Sequence, residues 1–135
     1  PEVAKLVQVT KECFFKGLEQ AVVGNHISDI GRAIQQHAES HGYGVVRELV
    51  GHGIGMNMHE APEVPNYVIP HFGRGARLVP GMAIAIEPMI NLGTRRIHVL
   101  DDGWTCVTAD GKPSAHYENT IFISENGPEV LTNPE

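Results

Sequence analysis

The sequence predicts an α+β fold in which two helices precede several strands. Apolar residues recur at helical spacing up to Gly42, and the apolar period shortens after it. The 15 glycines and 9 prolines divide the rest of the chain into short segments without forming a low-complexity tract. The length of 135 residues, 41% of them hydrophobic, fits one globular domain and is too short for two ordinary ones.

The first element is an amphipathic helix predicted from about Glu2 to Val23, ending at the stop signal Gly24-Asn25. Its apolar positions recur every three or four residues, as the buried face of a helix requires. The residues predicted to line that face are Val3, Leu6, Val7, Thr10, Phe14, Leu18 and Ala21.

The second helix is predicted to begin with Ser28 as its N-cap and Asp29 in its first turn, where a carboxylate suits the positive end of the helix dipole. Gly42 closes it, because glycine takes the left-handed cap conformation without strain. The residues predicted to line its buried stripe are Ile30, Ala33, Ile34 and Ala38.

Short β-rich segments follow the helices. A first strand is predicted within Tyr43–Val50, and a long loop is predicted from Gly51 to Pro80 because Gly and Pro recur throughout it. A second strand should run from Met82 to Ile90, and a hairpin should span Arg95 to Thr108. The last predicted strand is Tyr117–Ser124.

Composition excludes several classes of function. The chain has 16 acidic and 10 basic residues and a formal charge of -6, which is the wrong sign for a domain that grips a nucleic-acid backbone. No apolar run approaches the ~20 residues that span a bilayer, and the first residues lack a secretory pattern. Cys13 and Cys106 do not make a disulfide framework, so we expect a cytoplasmic setting.

Two carboxylates and one imidazole are candidate metal ligands. Glu87 lies in an apolar strand, and Glu118 precedes another, where a buried unpaired carboxylate would cost several kcal/mol. His52 stands between glycines that let the backbone approach an ion closely. Taken alone, Glu87 could instead pair with an arginine or lie at a strand edge in water. Glu118 could be a solvated strand residue, and His52 could be an exposed loop histidine. Together they match the ligand set of hydrolytic divalent metals.

Two other histidine patterns are weaker. His59-Glu60 begins like the zinc-protease helix, but Glu63 stands where the second histidine belongs and Pro62 breaks the helix. His37 and His41 lie four residues apart on the second helix, a spacing that can hold a metal. Because they share the side of the apolar stripe, we favour packing or a partly solvated edge for that pair.

The order of the motifs resembles the C-terminal half of a type I methionine aminopeptidase. The resemblance spans essentially the whole chain and rests on six segments: Gly51–Gly55, His59–Pro62, Leu78–Met82, Ile86–Met89, Asp102–Trp104 and Tyr117–Thr120. It implies half of a pita-bread fold, in which two similar α/β halves enclose a curved antiparallel sheet holding two divalent metal ions.

The resemblance also implies roles for individual residues. His52 and Glu87 correspond to ligands of one metal, and Glu118 corresponds to the carboxylate that bridges both metals. Glu87 would also relay a proton from the attacking water to the leaving amine, and His59 would help stabilise the oxyanion. The metals could be Co, Mn, Fe or Zn.

Substrate contacts are implied at His59, Met58 and Trp104. His59 would contact the scissile peptide, and Trp104 would lie beside the methionine pocket. Met58 stands where the family more often has Phe, and Asn119 stands where His is common. The side chain of Asn119 should point away from Glu118 along a strand.

In the family that the resemblance implies, two Asp ligands lie on a strand hairpin before the first helix of the C-terminal half, and we expect this sequence, which starts at that helix, to be without them and without the N-terminal half. Residues 1–135 are therefore expected to be the C-terminal half of one catalytic domain, holding at most one metal weakly and inactive or nearly so alone. Expected partners are a peptide or nascent-chain N-terminus, the missing half and a second copy of the fragment, with a ribosome contact left open. The alternatives are a non-catalytic pita-bread binding module and a proline-specific aminopeptidase of the same fold.

Overall fold

The computed structural model describes residues 1–47, 51–53, 60–70, 73–99, 101 and 106–132, and for residues 51–53, 60, 61, 99 and 106 it describes the backbone alone. Helix α1 spans Glu2–Gln20 and helix α2 spans Ile27–Ser40. The strands that follow are β1 (Gly44–Val45), β2 (Gly51–Gly53), β3 (Glu60–Val64), β4 (Ala83–Ile86), β5 (Met89–Asn91), β6 (Ile97–Val99), β7 (Cys106–Thr108), β8 (Ser114–His116), β9 (Asn119–Ser124) and β10 (Gly127–Val130).

Helix α1 is three residues shorter than predicted and is rotated relative to the predicted stripe. Val3 and Val7 are 52% and 55% exposed, so the prediction that they line the buried face is wrong. The buried positions on this helix are instead Leu6, Val9, Thr10, Cys13, Phe14 and Gly17. The buried face is thus turned toward Val9, Cys13 and Gly17 and away from Val3 and Val7.

Helix α2 begins before the predicted N-cap. His26, not Ser28, is the N-cap residue, and Asp29 accepts a 2.8 Å hydrogen bond from the His26 backbone N–H. This bond satisfies an amide at the helix start, which explains why the helix begins there. Ile30, Ile34 and Ala38 are buried as predicted, whereas Ala33 is half-buried.

The strands form three antiparallel sheets. The largest has the order β10-β9-β4-β2-β3, a second has the order β1-β5-β8, and β6 pairs with β7. The β6–β7 pair is the hairpin predicted between Arg95 and Thr108. Helix α1 lies against β8, β5 and β4, while α2 lies against β1 and β3, so both helices cover the sheets. This is the predicted α+β arrangement of two helices followed by antiparallel sheet.

The predicted long loop from Gly51 to Pro80 contains two strands, so that prediction is wrong in part. Strand β2 holds three residues, two of them glycine, and pairs with β3 on one side and β4 on the other. Glycine has a low strand propensity, but pairing on both sides satisfies the backbone hydrogen-bonding groups of β2 and so stabilises the strand.

The strand predicted from Met82 to Ile90 is two strands in different sheets. It breaks at Glu87-Pro88, between β4 and β5. Pro88 has no backbone N–H to donate, which suits the point where one ladder stops and another begins. The predicted last strand, Tyr117–Ser124, begins two residues later than predicted, at Asn119, because Tyr117 and Glu118 lie between β8 and β9.

One apolar core lies between the helices and the sheets. Phe14 of α1, Ile30 and Ile34 of α2, and Ile86 and Ile121 of the large sheet are all fully buried within it. Within the described part of the chain, neither helix is long and apolar enough to cross a membrane.

Candidate metal centre

Two interruptions of the sheet coincide in space. Glu87-Pro88 separates β4 from β5, and Tyr117-Glu118 separates β8 from β9. The Tyr117 backbone N–H donates a 3.1 Å hydrogen bond to the Pro88 carbonyl, so the two interruptions face each other. Antiparallel pairing therefore continues past the gap, but β4 pairs with β9 in the largest sheet and β5 pairs with β8 in the second sheet.

The register on either side fixes this alignment. Ile86 pairs with Asn119 at the end of the β4–β9 ladder, and Met89 pairs with His116 at the start of the β5–β8 ladder. The residues left between these pairs are the two that interrupt each strand. The fold thus carries both candidate carboxylates to one place, although 31 positions separate Glu87 from Glu118.

A third side chain joins these carboxylates. Glu87, His116 and Glu118 each offer a ligand atom, and the three atoms all lie within 4.8 Å of one another. His116 Nε2 lies 3.7 Å from Glu87 Oε1. The Glu87 side chain is mostly buried at 16% exposure, whereas His116 and Glu118 are exposed. The cluster is therefore open to solvent at His116 and Glu118, and Glu87 forms its less exposed end.

The carboxylates alter the proton affinity of the imidazole. The pKa of His116 is raised, chiefly by its interaction with Glu87, and the charge of Glu118 adds to this effect. Partial burial of His116 opposes the rise without cancelling it. The local field is thus negative and favours a cation at this position.

Buried amides hold the backbone around the cluster. Asn66 is fully buried, and its Nδ2 donates a 3.2 Å hydrogen bond to the Glu87 carbonyl. The Asn119 amide is joined to the Thr132 hydroxyl by a 2.6 Å hydrogen bond. These contacts limit the movement of the segments that carry the ligands.

The backbone of His52 lies in β2, directly beside the strand that leads to Glu87. His52 pairs with Ala85 in β4 and with Glu63 in β3. Its position in the large sheet is thus defined, while the direction of its side chain lies outside what the structure describes. Met58, His59 and Trp104, the predicted substrate contacts, also lie outside the described residues and remain predictions.

The donors suit a divalent cation. Two carboxylates and one imidazole are the combination that hydrolytic zinc, manganese and iron sites use. The three ligand atoms lie within 4.8 Å of one another, so small rotations of the side chains would bring them around one ion. These residues therefore fit the divalent metal ion that the sequence predicted. His116 is an imidazole in addition to the predicted ligand His52.

Sequence reasoning did not identify His116. The signal was its position two residues before Glu118, which on a continuous strand would place both side chains on one face. The pairing of His116 with Met89, which brings it to Glu87, depends on the interruption of the strands and is not readable from a single segment.

A family model and several known proteins match this chain in sequence. A model of metallopeptidase family M24 matches residues 1–125. A methionine aminopeptidase of Clostridium perfringens is 59% identical over 131 residues, covering 97% of this chain and 52% of the relative. The methionine aminopeptidase 1 of Bacillus subtilis is 50% identical over 128 residues, covering 95% of this chain and 51% of the relative.

Solved structures show the same relationship. The chain superposes on methionine aminopeptidase from Thermotoga maritima with a TM-score of 0.92 and 45% identity, covering 98% of this chain and 52% of that one. A prolidase from Pyrococcus furiosus, at 24% identity and a TM-score of 0.73, shares the fold alone and is covered to 33%. The chain thus has the half pita-bread fold and spans about half the length of the curated relatives it matches.

Proposed function

The chain belongs to metallopeptidase family M24, and from this premise we propose that it contributes half of the catalytic domain of a metal-dependent aminopeptidase that removes N-terminal methionine. The family implies divalent metal ions as cofactors. The observation that carries the proposal is the coincidence of the two strand interruptions, which brings Glu87 and Glu118 together. A surface carboxylate pair would not require both partners of an antiparallel pairing to be interrupted at the same register.

Glu87, Glu118 and His52 are proposed to hold the metal, with Glu118 shared between two ions. Divalent cations at this position would lower the pKa of a water molecule toward neutrality and polarise the peptide carbonyl. Glu87 has the environment for a proton relay, because its side chain is mostly shielded from solvent but lies beside the open mouth of the cluster. It would accept the proton of the attacking water and deliver it to the leaving amine.

His59, Met58 and Trp104 are proposed to contact the substrate. His59 would donate a hydrogen bond to the oxyanion of the tetrahedral intermediate. A donor held in place before the reaction stabilises the charge that develops on this oxygen. Met58 and Trp104 would line the pocket for the methionine side chain, whose thioether and methylenes suit apolar and aromatic contacts.

A complete two-metal site needs further carboxylates, and two of the chain's aspartates are engaged elsewhere. Asp29 accepts hydrogen bonds at the start of α2 and pairs with Arg74 at 3.1 Å. Asp110 accepts hydrogen bonds from the backbone N–H groups of Thr94 and Lys112. We therefore propose that the missing ligands come from residues outside this sequence, and that the chain alone holds at most one ion weakly and turns over little or no substrate.

A chimera tests this proposal. The part of the Clostridium perfringens relative that matches this chain is replaced by the corresponding 131 residues, and release of methionine from Met-Ala-Ser is measured with added Co²⁺ or Mn²⁺. We expect turnover by the chimera and little or none by the isolated chain. Glu118→Gln should abolish turnover by the chimera, because it removes the shared ligand.

Two controls define the outcome. Glu129→Gln changes an exposed carboxylate on β10 and should leave turnover unchanged. An X-Pro dipeptide in competition with Met-Ala-Ser distinguishes a proline-specific aminopeptidase, which would prefer the dipeptide. A folded chimera that binds metal and hydrolyses neither substrate would support the non-catalytic alternative and refute the proposal.

A further inference from the structure

We propose that Glu12, His37 and His41 form a separate zinc-type metal site that joins α1 to α2. The site shares no residue with the cluster at Glu87, and its cation would be a borderline transition metal such as Zn²⁺. Its expected effect is to link the two packed helices that supply its ligands.

The three side chains already converge. One ligand atom from each of Glu12, His37 and His41 lies within 4.8 Å of the other two. Glu12 lies on α1, and His37 lies on α2, yet Glu12 Oε1 and His37 Nε2 are 2.8 Å apart. The closing residue, His41, is the C-cap of α2. The cluster therefore spans the helix interface and is not a set of neighbours on one surface loop.

Helix geometry explains the pair on α2. Residues four positions apart lie one turn above each other, and the rings of His37 and His41 are in contact with their centroids 5.0 Å apart. Tyr43 stacks on His41 with ring centroids 5.9 Å apart. This packing restrains the orientation of His41, which lowers the entropic cost of fixing it as a ligand.

The spacing suits a small tetrahedral ion after minor adjustment. Metal–ligand bonds of about 2.0–2.2 Å place neighbouring ligand atoms about 3.3 Å apart in a tetrahedron. The Glu12–His37 separation of 2.8 Å would have to open slightly, and the widest separation, at most 4.8 Å, would have to close. Glu12 and His37 are only 40% and 19% exposed, so the ligands are partly withdrawn from solvent while an entry path remains.

The chemistry of the donors selects among cations. Two imidazoles and one carboxylate form a set found in zinc sites and leave one position for water. Imidazole nitrogen favours Zn²⁺, Ni²⁺ and Cu²⁺ over Mg²⁺ and Ca²⁺, which prefer oxygen donors.

Zinc titration of the chain tests the site. Glu87→Gln and Glu118→Gln are introduced together to remove the other cluster, and Zn²⁺ binding is measured by isothermal titration calorimetry beside the thermal unfolding midpoint. The expected result is one equivalent of Zn²⁺, with Zn²⁺ raising the unfolding midpoint and Mg²⁺ leaving it unchanged.

Three further variants identify the ligands. His41→Ala should weaken Zn²⁺ binding at least about tenfold and abolish the rise in the unfolding midpoint. Glu12→Gln keeps the side-chain volume and should weaken binding similarly, which serves as an independent test if His41→Ala unfolds. His98→Ala removes an exposed histidine on β6, outside both clusters, and should bind as the parent does.

The proposal is overturned if folded Glu12→Gln binds Zn²⁺ as tightly as the parent. It is also overturned if His98→Ala loses binding to the same extent as His41→Ala, since the ion would then bind surface histidines without selection.

Discussion

Glu87 and Glu118 lie opposite each other at the point where the β4–β9 ladder stops and the β5–β8 ladder begins. The hydrogen bond from the Tyr117 N–H to the Pro88 carbonyl is the main-chain link across this point. Because the carboxylates are fixed by strands on both sides, their approach is a property of the sheet and not of flexible side chains alone.

Metal binding by the chain should depend on Glu118. Glu118→Gln removes a charged ligand from the cluster with Glu87 and His116, so the affinity for Mn²⁺, a cation that favours carboxylates, should fall at least about tenfold. Calorimetric titration of the two proteins gives the comparison. Glu129→Gln is the matched control on β10, and equal affinities for the parent and Glu118→Gln would rule out this cluster as the Mn²⁺ site.

The start of α2 should make stability depend on pH through Asp29. Hydrogen bonding from the His26 N–H, followed by the charge of Arg74, lowers the pKa of Asp29 below its usual value. Because the pKa is lower in the folded state, Asp29 stabilises the fold above its unfolded-state pKa of about 3.9. This contribution is lost as pH falls through the folded-state pKa.

Asp29→Asn should therefore lower the free energy of unfolding by about 1 kcal/mol at neutral pH, with a smaller difference in acid. Urea unfolding followed by circular dichroism over a pH series measures both quantities. Asp101→Asn, an exposed carboxylate, provides the control and should show no such dependence. A difference for Asp29→Asn that persists unchanged in acid would contradict the assigned cause.

Cys13 should be unreactive in the folded chain. Burial raises the pKa of its thiol to about 12, with a smaller contribution from the charge of Glu12, so almost no thiolate exists near neutral pH. In a Cys106→Ser background, a disulfide-exchange reagent should label Cys13 only after guanidinium chloride is added. Labelling of the folded protein at the rate of a free thiol would show that Cys13 is accessible.

Replacing Gly31 by alanine should destabilise the fold, although the residue lies within a helix. A Cβ at this position would lie 2.7 Å from the carbonyl oxygens of both Pro65 and Tyr67, which belong to backbone that cannot easily shift. Gly31→Ala should therefore lower the free energy of unfolding by about 1–3 kcal/mol, despite the gain of about 1 kcal/mol in helix propensity. The measurement is urea unfolding.

Gly17→Ala is the matched helical control. The three nearest atoms to its Cβ would be side-chain carbons of Ile30 and Ile34, at 3.0–3.1 Å, and side chains can shift more readily than backbone. The loss of stability should be smaller than for Gly31→Ala. The reverse order would mean that the α2 contact with the segment after β3 is looser than the distances imply.

The sequence indicated the helices and the residues of the cluster better than it indicated the sheet. Helical period and a glycine stop signal located α1 and α2 within a few residues because these signals are local. The strand β2 was missed because its glycines have poor strand propensity, and pairing on both sides overrides that preference.

Glu87 and Glu118 were identifiable because each is a carboxylate placed in or before an apolar segment. His116 and the Glu12–His37–His41 cluster were not, because their members meet only through strand register or helix packing. For His37 and His41 the spacing was visible, but the carboxylate that completes the set lies 25 residues away from His37 on α1.

The most direct test of the central claim is an anomalous difference map from crystals of the chimera grown with Mn²⁺. The account predicts density within about 2.0–2.2 Å of carboxylate oxygens from both Glu87 and Glu118. Density bound to neither carboxylate, with Mn²⁺ held elsewhere in a folded protein, would contradict it.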